Sequence, residues 1–172
     1  MSENNLHGKI WCFGDNINTD IISPAEYMDH SYEVMGKHVL ERAFPGFADV
    51  ISPGDFVVAG NNFGSGSSRE TAQIALKYAG VGAIVAKSFA RIFFRNCINV
   101  GLPVITYPET GLFVQGESLE IDLSTGLIRN LDTGRLHQGS KLPDHVLRIV
   151  RAGGLSNYLR EVVQSEGYRG RS

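Results

Sequence analysis

The chain has 172 residues, 42% of them hydrophobic and 20% charged, a globular balance with enough length for one domain around its own core. Lys and Arg number 16 against 18 Asp and Glu, and the formal charge of −2 excludes the whole-domain basic footprint of a nucleic-acid binder. Two cysteines, Cys12 and Cys97, are too few for a disulfide framework or for an iron–sulfur cluster held by this chain alone, and no apolar run is long enough to span a bilayer.

The segment Met1–Asn5 lacks the basic and apolar regions of a signal peptide, so a cytoplasmic location is expected. Lys9–Phe13 reads as a strand closed by Gly14-Asp15-Asn16, and Asn16–Pro24 as a polar loop. Tyr32–Arg42 reads as a short helix. Pro53-Gly54-Asp55 is a turn, Phe56–Ala59 a second strand, and Gly60–Gly66 a glycine-rich loop. Ser67 or Ser68 is placed to cap the next helix, with Glu70 at the capping-box spacing from Ser67. Ala72, Ala75, Leu76 and Ala79 form that helix's narrow apolar face, and Gly80 ends it. Gly82–Ala86 is a third strand. Ser88 is expected to cap a helix striped by Phe89, Ile92, Phe93 and Cys97 and ended by Gly101, before a strand at Pro103–Thr106. This alternation predicts parallel βαβ units. An antiparallel meander follows: Leu112–Val114, Leu119–Leu123, Leu127-Ile128 and a polar strand near Arg135. Pro143-Asp144 opens a terminal helix with Val146, Ile149 and Val150, and a short helix with Leu155, Tyr158, Leu159 and Val162 follows Gly153-Gly154. Residues 168–172 read as a frayed tail. The whole is one α/β domain with a mostly parallel central sheet, flanking helices and a C-terminal meander.

The chemistry concentrates at Gly60-Asn61-Asn62-Phe63-Gly64-Ser65-Gly66-Ser67-Ser68-Arg69-Glu70, which runs from a strand end into a helix start. Glycines let the backbone approach a ligand, helix N–H groups favour an anion, and Arg69 offers a bidentate fork for a carboxylate or phosphate. There is no P-loop lysine, Arg69 stands where a dinucleotide fingerprint needs glycine, and neither Ser67 nor Ser68 has the flanking glycines of a nucleophile elbow. The competing reading makes Ser67 only a cap and Arg69 only a solvated first-turn residue. A second polar cluster, Asp15–Pro24, follows the first strand as the glycine loop follows the second, and such strand-end loops meet at one site in α/β folds; the alternative is an Asx-rich turn. In the third segment, Ala86–Asn96, the cations Lys87, Arg91 and Arg95 are expected to be partly buried and paired, ordering the loop or facing a partner. The five histidines have no metal-ligand spacing with the cysteines, so no metal is expected on this chain alone.

These three segments, followed by Gly101-Leu102-Pro103, resemble the family of 3-isopropylmalate dehydratase small subunits, the separately encoded swivel domains of the aconitase superfamily. The resemblance runs in order from the first strand to the meander. It implies a swivelling β/β/α domain and a large-subunit partner carrying a [4Fe-4S] cluster. The pair dehydrates a 2-hydroxy dicarboxylic acid and rehydrates the alkene at the other carbon, as in leucine biosynthesis. The family's base maps to Ser67. Ser68 and Arg69 map to substrate-carboxylate contacts and Asp20 to the active-site carboxylate of the Thr-Asp motif, and Gly66, Asn62 and Thr19, in the same two loops, are further candidate substrate-binding residues. The segment after that motif, Tyr27-Met28-Asp29-His30-Ser31-Tyr32, lies where family members sense the group that distinguishes their substrates, which makes Tyr27, Asp29 and His30 candidate substrate contacts. Homoaconitase-like members carry an arginine there for an extra carboxylate, and none lies between Asp20 and Lys37. Isopropylmalate enzymes tend to be apolar where this chain has Asp29 and His30. Neither membrane nor nucleic acid is expected as a partner, and self-association of the isolated chain stays open. The alternatives are a hydratase of another malate-type acid, such as a methylmalate, dimethylmalate or homoaconitate, and a non-catalytic anion- or RNA-binding module.

Overall fold

The computed structural model describes residues 3–167. β1 (Asn5–Cys12) leads into α1 (Thr19–Ile22), a 3-10 turn at Ala25–Tyr27, α2 (Tyr32–Lys37) and α3 (Phe47–Val50). β2 (Phe56–Ala59), α4 (Thr71–Tyr78), β3 (Ala83–Ala86), α5 (Arg91–Val100) and β4 (Val104–Thr106) alternate. A second 3-10 turn at Thr110–Leu112 opens the meander β5 (Ser118–Asp122), β6 (Leu127–Asn130) and β7 (Leu136–Gln138), and α6 (Asp144–Arg151) and α7 (Leu155–Gly167) close the chain.

The strands form one sheet in the order β4-β3-β2-β1-β5-β6-β7. β1 joins its two halves. Ile10–Cys12 pair in parallel with Phe56–Val58, whereas Asn5–Lys9 pair antiparallel with Ser118–Asp122. The parallel end is buried on both faces, so its strands are continuous apolar runs with a period of two in what they touch. Val57, Ala59, Ile84, Ala86 and Val104 face the helices. Ile10, Phe56, Val58, Ala83, Val85 and Ile105 face a second core shared with Leu119, Ile121 and Ile128, so the meander folds back over the parallel end and gives the β/β/α layering. The buried Asp55 carboxylate ties β1 to the turn before β2, accepting from the Lys9 N–H (3.0 Å), Trp11 Nε1 (3.0 Å) and the Ser52 N–H (2.9 Å).

Several local expectations fail for identifiable reasons. β1 starts at Asn5 rather than Lys9, because pairing with β5 extends a segment whose own side chains are mostly half-exposed. The Asn16–Pro24 loop contains the helical turn α1, capped where Asn18 Oδ1 accepts from the Ile21 N–H at 2.8 Å. α2 stops at Lys37, well before Arg42, and α3 was not foreseen. Leu112–Val114 is no strand: Phe113 is buried beneath the meander and packs against Tyr107. The last helix is longer than expected at 13 residues. The frayed-tail reading of 168–172 falls outside the described residues.

Candidate active site

The loops after β1 and β2 are stitched together by backbone hydrogen bonds. The Asn16 N–H donates to the Asn61 carbonyl, the Gly64 N–H to Ile17, and the Thr19 N–H to Ser65, each at 2.8 Å. Thr19 Oγ1 then accepts from the Ser67 N–H at 3.0 Å, and Asn62 Nδ2 donates to Asn16 Oδ1 at 3.2 Å. Two glycines permit this. Gly66 has φ +113°, and a Cβ there would sit 2.9 Å from Thr19 Oγ1. Gly64 has φ +81°, and its Cβ would lie 2.0 Å from Phe93 Cγ. Gly64→Ala therefore combines a left-handed backbone with a collision between the new Cβ and the Phe93 ring, and it is expected to cost about 3 kcal/mol or more in urea unfolding; a stability within about 0.5 kcal/mol of the parent would show that the loop relaxes freely.

The stitched loops enclose a cleft of about 250 Å³ lined by Thr19, Asp20, Ser23, Ala25, Met28, Ser67, Arg69 and Thr71. The capping expectation is corrected here. α4 begins at Thr71, its N-cap Glu70 makes no side-chain capping bond, and Ser67–Arg69 are drawn out of the helix towards Thr19. Ser67 is exposed, and among the described residues its Oγ accepts only from the Arg69 N–H, at 3.2 Å. The Arg69 guanidinium touches Met28 Sδ at 3.3 Å and pairs with no carboxylate among the described residues. Behind the loop, Nδ2 of the buried Asn96 on α5 donates to the Ser68 carbonyl at 3.2 Å. Ser88 also departs from its expected capping role: α5 starts at Arg91, and Ser88 Oγ accepts from the Asn62 N–H at 2.8 Å.

Asp20 is tethered on both oxygens. Oδ1 accepts from the Ala25 N–H at 3.3 Å and Oδ2 pairs with Arg42 Nη1. Arg42 also holds both Glu26 oxygens, at 3.0 and 2.8 Å. Hydrogen bonds from its own backbone N–H and from Arg42 keep the Glu26 carboxyl below its ordinary range. Arg42 lies outside both sequence motifs and comes to Asp20 only through the fold. Ser23 and Asn96 were missed too. The Ser23 hydroxyl is buried in the cleft wall with no hydrogen-bond partner among the described residues, between Ile22 and Pro24, in a loop whose sequence is polar.

Of the sequence-derived candidates, Thr19, Asp20, Ser67 and Arg69 line one cleft. Gly66 and Ser68 belong to its loop without lining it, and Asn62 braces the joint between the loops at φ 56°. Tyr27 stacks on His38 at 3.7 Å, and His38 Nδ1 meets Glu41 Oε2 at 2.7 Å. Burial and the Glu41 carboxylate push the Tyr27 phenol up, so it stays neutral. Asp29 and His30 are exposed and outside the lining; Met28 is the member of that segment that enters it. Arg91 and Arg95, expected to be partly buried and paired, are exposed, and neither they nor Lys87 pairs with a carboxylate among the described residues. A larger groove of about 610 Å³ lies beside α4 and the start of α7, but Lys77 is consumed there by the Val100 and Gly153 carbonyls (2.5 and 3.0 Å), and the groove holds none of the candidate residues.

A family model described as the aconitase C-terminal domain matches residues 25–110. A 3-isopropylmalate dehydratase small subunit from Nautilia profundicola is 48% identical over 162 residues, covering 94% of this chain and 98% of the relative. One from Aquifex aeolicus is 50% identical, with the same coverage. An isopropylmalate/citramalate isomerase small subunit from Methanocaldococcus jannaschii is 46% identical, covering 91% and 94%. A crystal structure of a 3-isopropylmalate dehydratase from the same archaeon superposes with a TM-score of 0.92 at 38% identity, covering 96% of this chain and 99% of that one.

Proposed function

The chain belongs to the family of 3-isopropylmalate dehydratase small subunits, and from that premise we propose that it is the proton-transferring half of a two-subunit hydro-lyase in the cytoplasm. The substrate is a malate-type 2-hydroxy dicarboxylic acid, with 2-isopropylmalate, isomerised to 3-isopropylmalate in leucine biosynthesis, as the best fit. The partner is a large subunit bearing a [4Fe-4S] cluster, which when bound supplies Lewis-acid polarisation of the departing hydroxyl. This chain does not suit the cluster itself. Burial raises both the Cys12 and Cys97 thiols, and the described residues contain no group of three or more His, Cys, Asp or Glu side chains placed to hold a metal.

Ser67 Oγ takes the proton from the carbon adjacent to the one losing hydroxide. The electron pair of that C–H bond becomes the alkene π bond. The proton then returns to the carbon that lost hydroxide, and the hydroxyl of water adds to its neighbour. A serine oxygen is a weak base unless its anion is stabilised. Here the Arg69 N–H already donates to it, the Arg69 guanidinium shares the cleft, and the start of α4 at Thr71 adjoins it. Thr19 fixes the loop by accepting from the Ser67 N–H, Arg69 presents its free fork to a substrate carboxylate, and Arg42 holds Asp20 at the cleft mouth. The observation that carries this reading is the convergence of Ser67, Arg69 and Asp20, from two separate motifs, on one cleft.

The pair with its large subunit, assembled anaerobically, is expected to turn over alkyl-substituted malates and to discriminate against a third carboxylate. No arginine lies between Asp20 and Lys37, Arg42 is already bidentate with Glu26, and the segment presents the Met28 thioether to the cleft. An unpaired carboxylate in a closed site costs several kcal/mol, roughly a thousandfold in specificity. Steady-state kcat/KM on isopropylmalate, methylmalate, dimethylmalate and homoaconitate, measured above about pH 7.5 where an ordinary histidine is neutral, checks this. A preference for homoaconitate would overturn the substrate assignment. The isopropylmalate/citramalate relative favours methylmalates as the second reading.

A further inference from the structure

We propose that the outward face of α5, centred on Arg91 and Arg95, is a docking surface for an acidic segment of the large subunit. The inference rests on the two-subunit reading above and adds where, and by what chemistry, the partner is held.

Arg91 and Arg95 are one helical turn apart, so their side chains share a face, opposite the Phe93 and Cys97 side that enters the core. Both guanidinium groups are exposed, and neither has a carboxylate partner among the described residues, although the chain as a whole carries a net charge of −2. Two free guanidinium groups side by side repel each other, and the isolated chain gains no stability from keeping both. They are flanked by apolar surface. Ile92 is 44% exposed, and Phe89, Phe94 and Arg91 line a shallow cleft of about 350 Å³. Arginine beside aromatic and aliphatic side chains is the composition of a protein-binding hot spot, and the charge calls for acidic groups opposite.

The small substrate is not the occupant, because neither arginine lines the cleft that holds Ser67. The helix and the turn before it are nevertheless joined to the loop beside that cleft by three contacts. Asn96 reaches the Ser68 carbonyl, Ser88 receives the Asn62 N–H, and Phe89 packs edge-on against Phe63 at 6.1 Å. A partner seated on α5 is thereby registered to the loop that carries the base. That is what a reaction divided between two chains needs, since a misplacement of about 1 Å between reacting groups costs on the order of a hundredfold in rate.

The test measures association of the full chain with its large subunit by stopped flow and calorimetry, for wild type, Arg91→Glu, Arg95→Glu and the control Arg135→Glu on the far edge of the sheet. Each arginine variant on α5 is expected to bind roughly ten- to a hundredfold more weakly, mainly through a slower on-rate and with a flatter salt dependence. Saturating large subunit should restore kcat, which no loss of a catalytic group would allow. Arg91→Gln and Arg95→Gln, which remove charge without reversing it, should show the same trend in smaller measure, and melting curves should match wild type throughout. Unchanged affinity in the α5 variants, an equal loss in Arg135→Glu, or a kcat that excess partner does not restore would overturn the proposal. So would loss of binding to a short RNA at physiological salt with large-subunit affinity intact, which would assign the face to nucleic acid. A wild-type chain that binds no large subunit and supports no turnover would instead sink the two-subunit reading itself.

Discussion

Ser67→Ala is expected to lower kcat of the assembled pair by at least about 10²–10⁴-fold, the usual contribution of a positioned proton-transfer group. The fold should not notice. Ser67 is exposed, its Oγ makes one hydrogen bond, and its N–H contact to Thr19 is backbone and survives the change. Unfolding free energy should therefore stay within about 0.5 kcal/mol of the parent, and affinity for the large subunit should be unchanged. Ser68→Ala should be milder, because the group of Ser68 that the fold uses is its carbonyl, held by Asn96. Near-normal kcat in Ser67→Ala would mean that the base lies elsewhere.

Arg69→Lys carries the second largest expectation. Lysine keeps the charge but loses the planar fork. Among the described residues the guanidinium is engaged only by Met28 Sδ, which leaves its hydrogen-bonding capacity for the substrate carboxylate and the Ser67 anion that the proposed mechanism assigns to it. Losing one charge-assisted hydrogen bond in the closed site costs up to about 3 kcal/mol, roughly a hundredfold in kcat/KM. Because the contact with Met28 contributes little to folding, the melting temperature should stay close to wild type. Wild-type kinetics would show that Arg69 merely solvates the approach to α4.

The difference between what was and was not legible in the sequence follows the range of the interactions. The parallel strands were readable because apolar runs bounded by turn residues report burial directly. The site loops were readable because glycines, hydroxyls and Arg69 cluster at a strand end, and their meeting followed from both loops leaving the same end of neighbouring strands. Capping was misread at Ser67 and at Ser88 for one reason. Each serine had a good local role, and each is used instead by a segment distant in sequence: Thr19 draws Ser67 out, and Asn62 takes the Ser88 hydroxyl. Arg42 was invisible for the same reason, since nothing near it in sequence predicts that it will clasp Asp20 and Glu26. Arg91 and Arg95 failed differently. Their apolar neighbours suggested burial, but Phe93 and Cys97 take the buried face of α5 and leave the arginines outside.

Titration of this chain into a fixed amount of cluster-loaded large subunit, with alkene formation from isopropylmalate followed by ultraviolet absorbance, tests the division of the chemistry most directly. Neither chain alone should turn over substrate, and the rate should rise with added chain to a plateau near one equivalent. Ser67→Ala should occupy the same stoichiometric sites without restoring the rate. Turnover by either chain alone at the rate of the pair, or a plateau rate that Ser67→Ala matches, would contradict a base on one subunit working with a Lewis acid on the other.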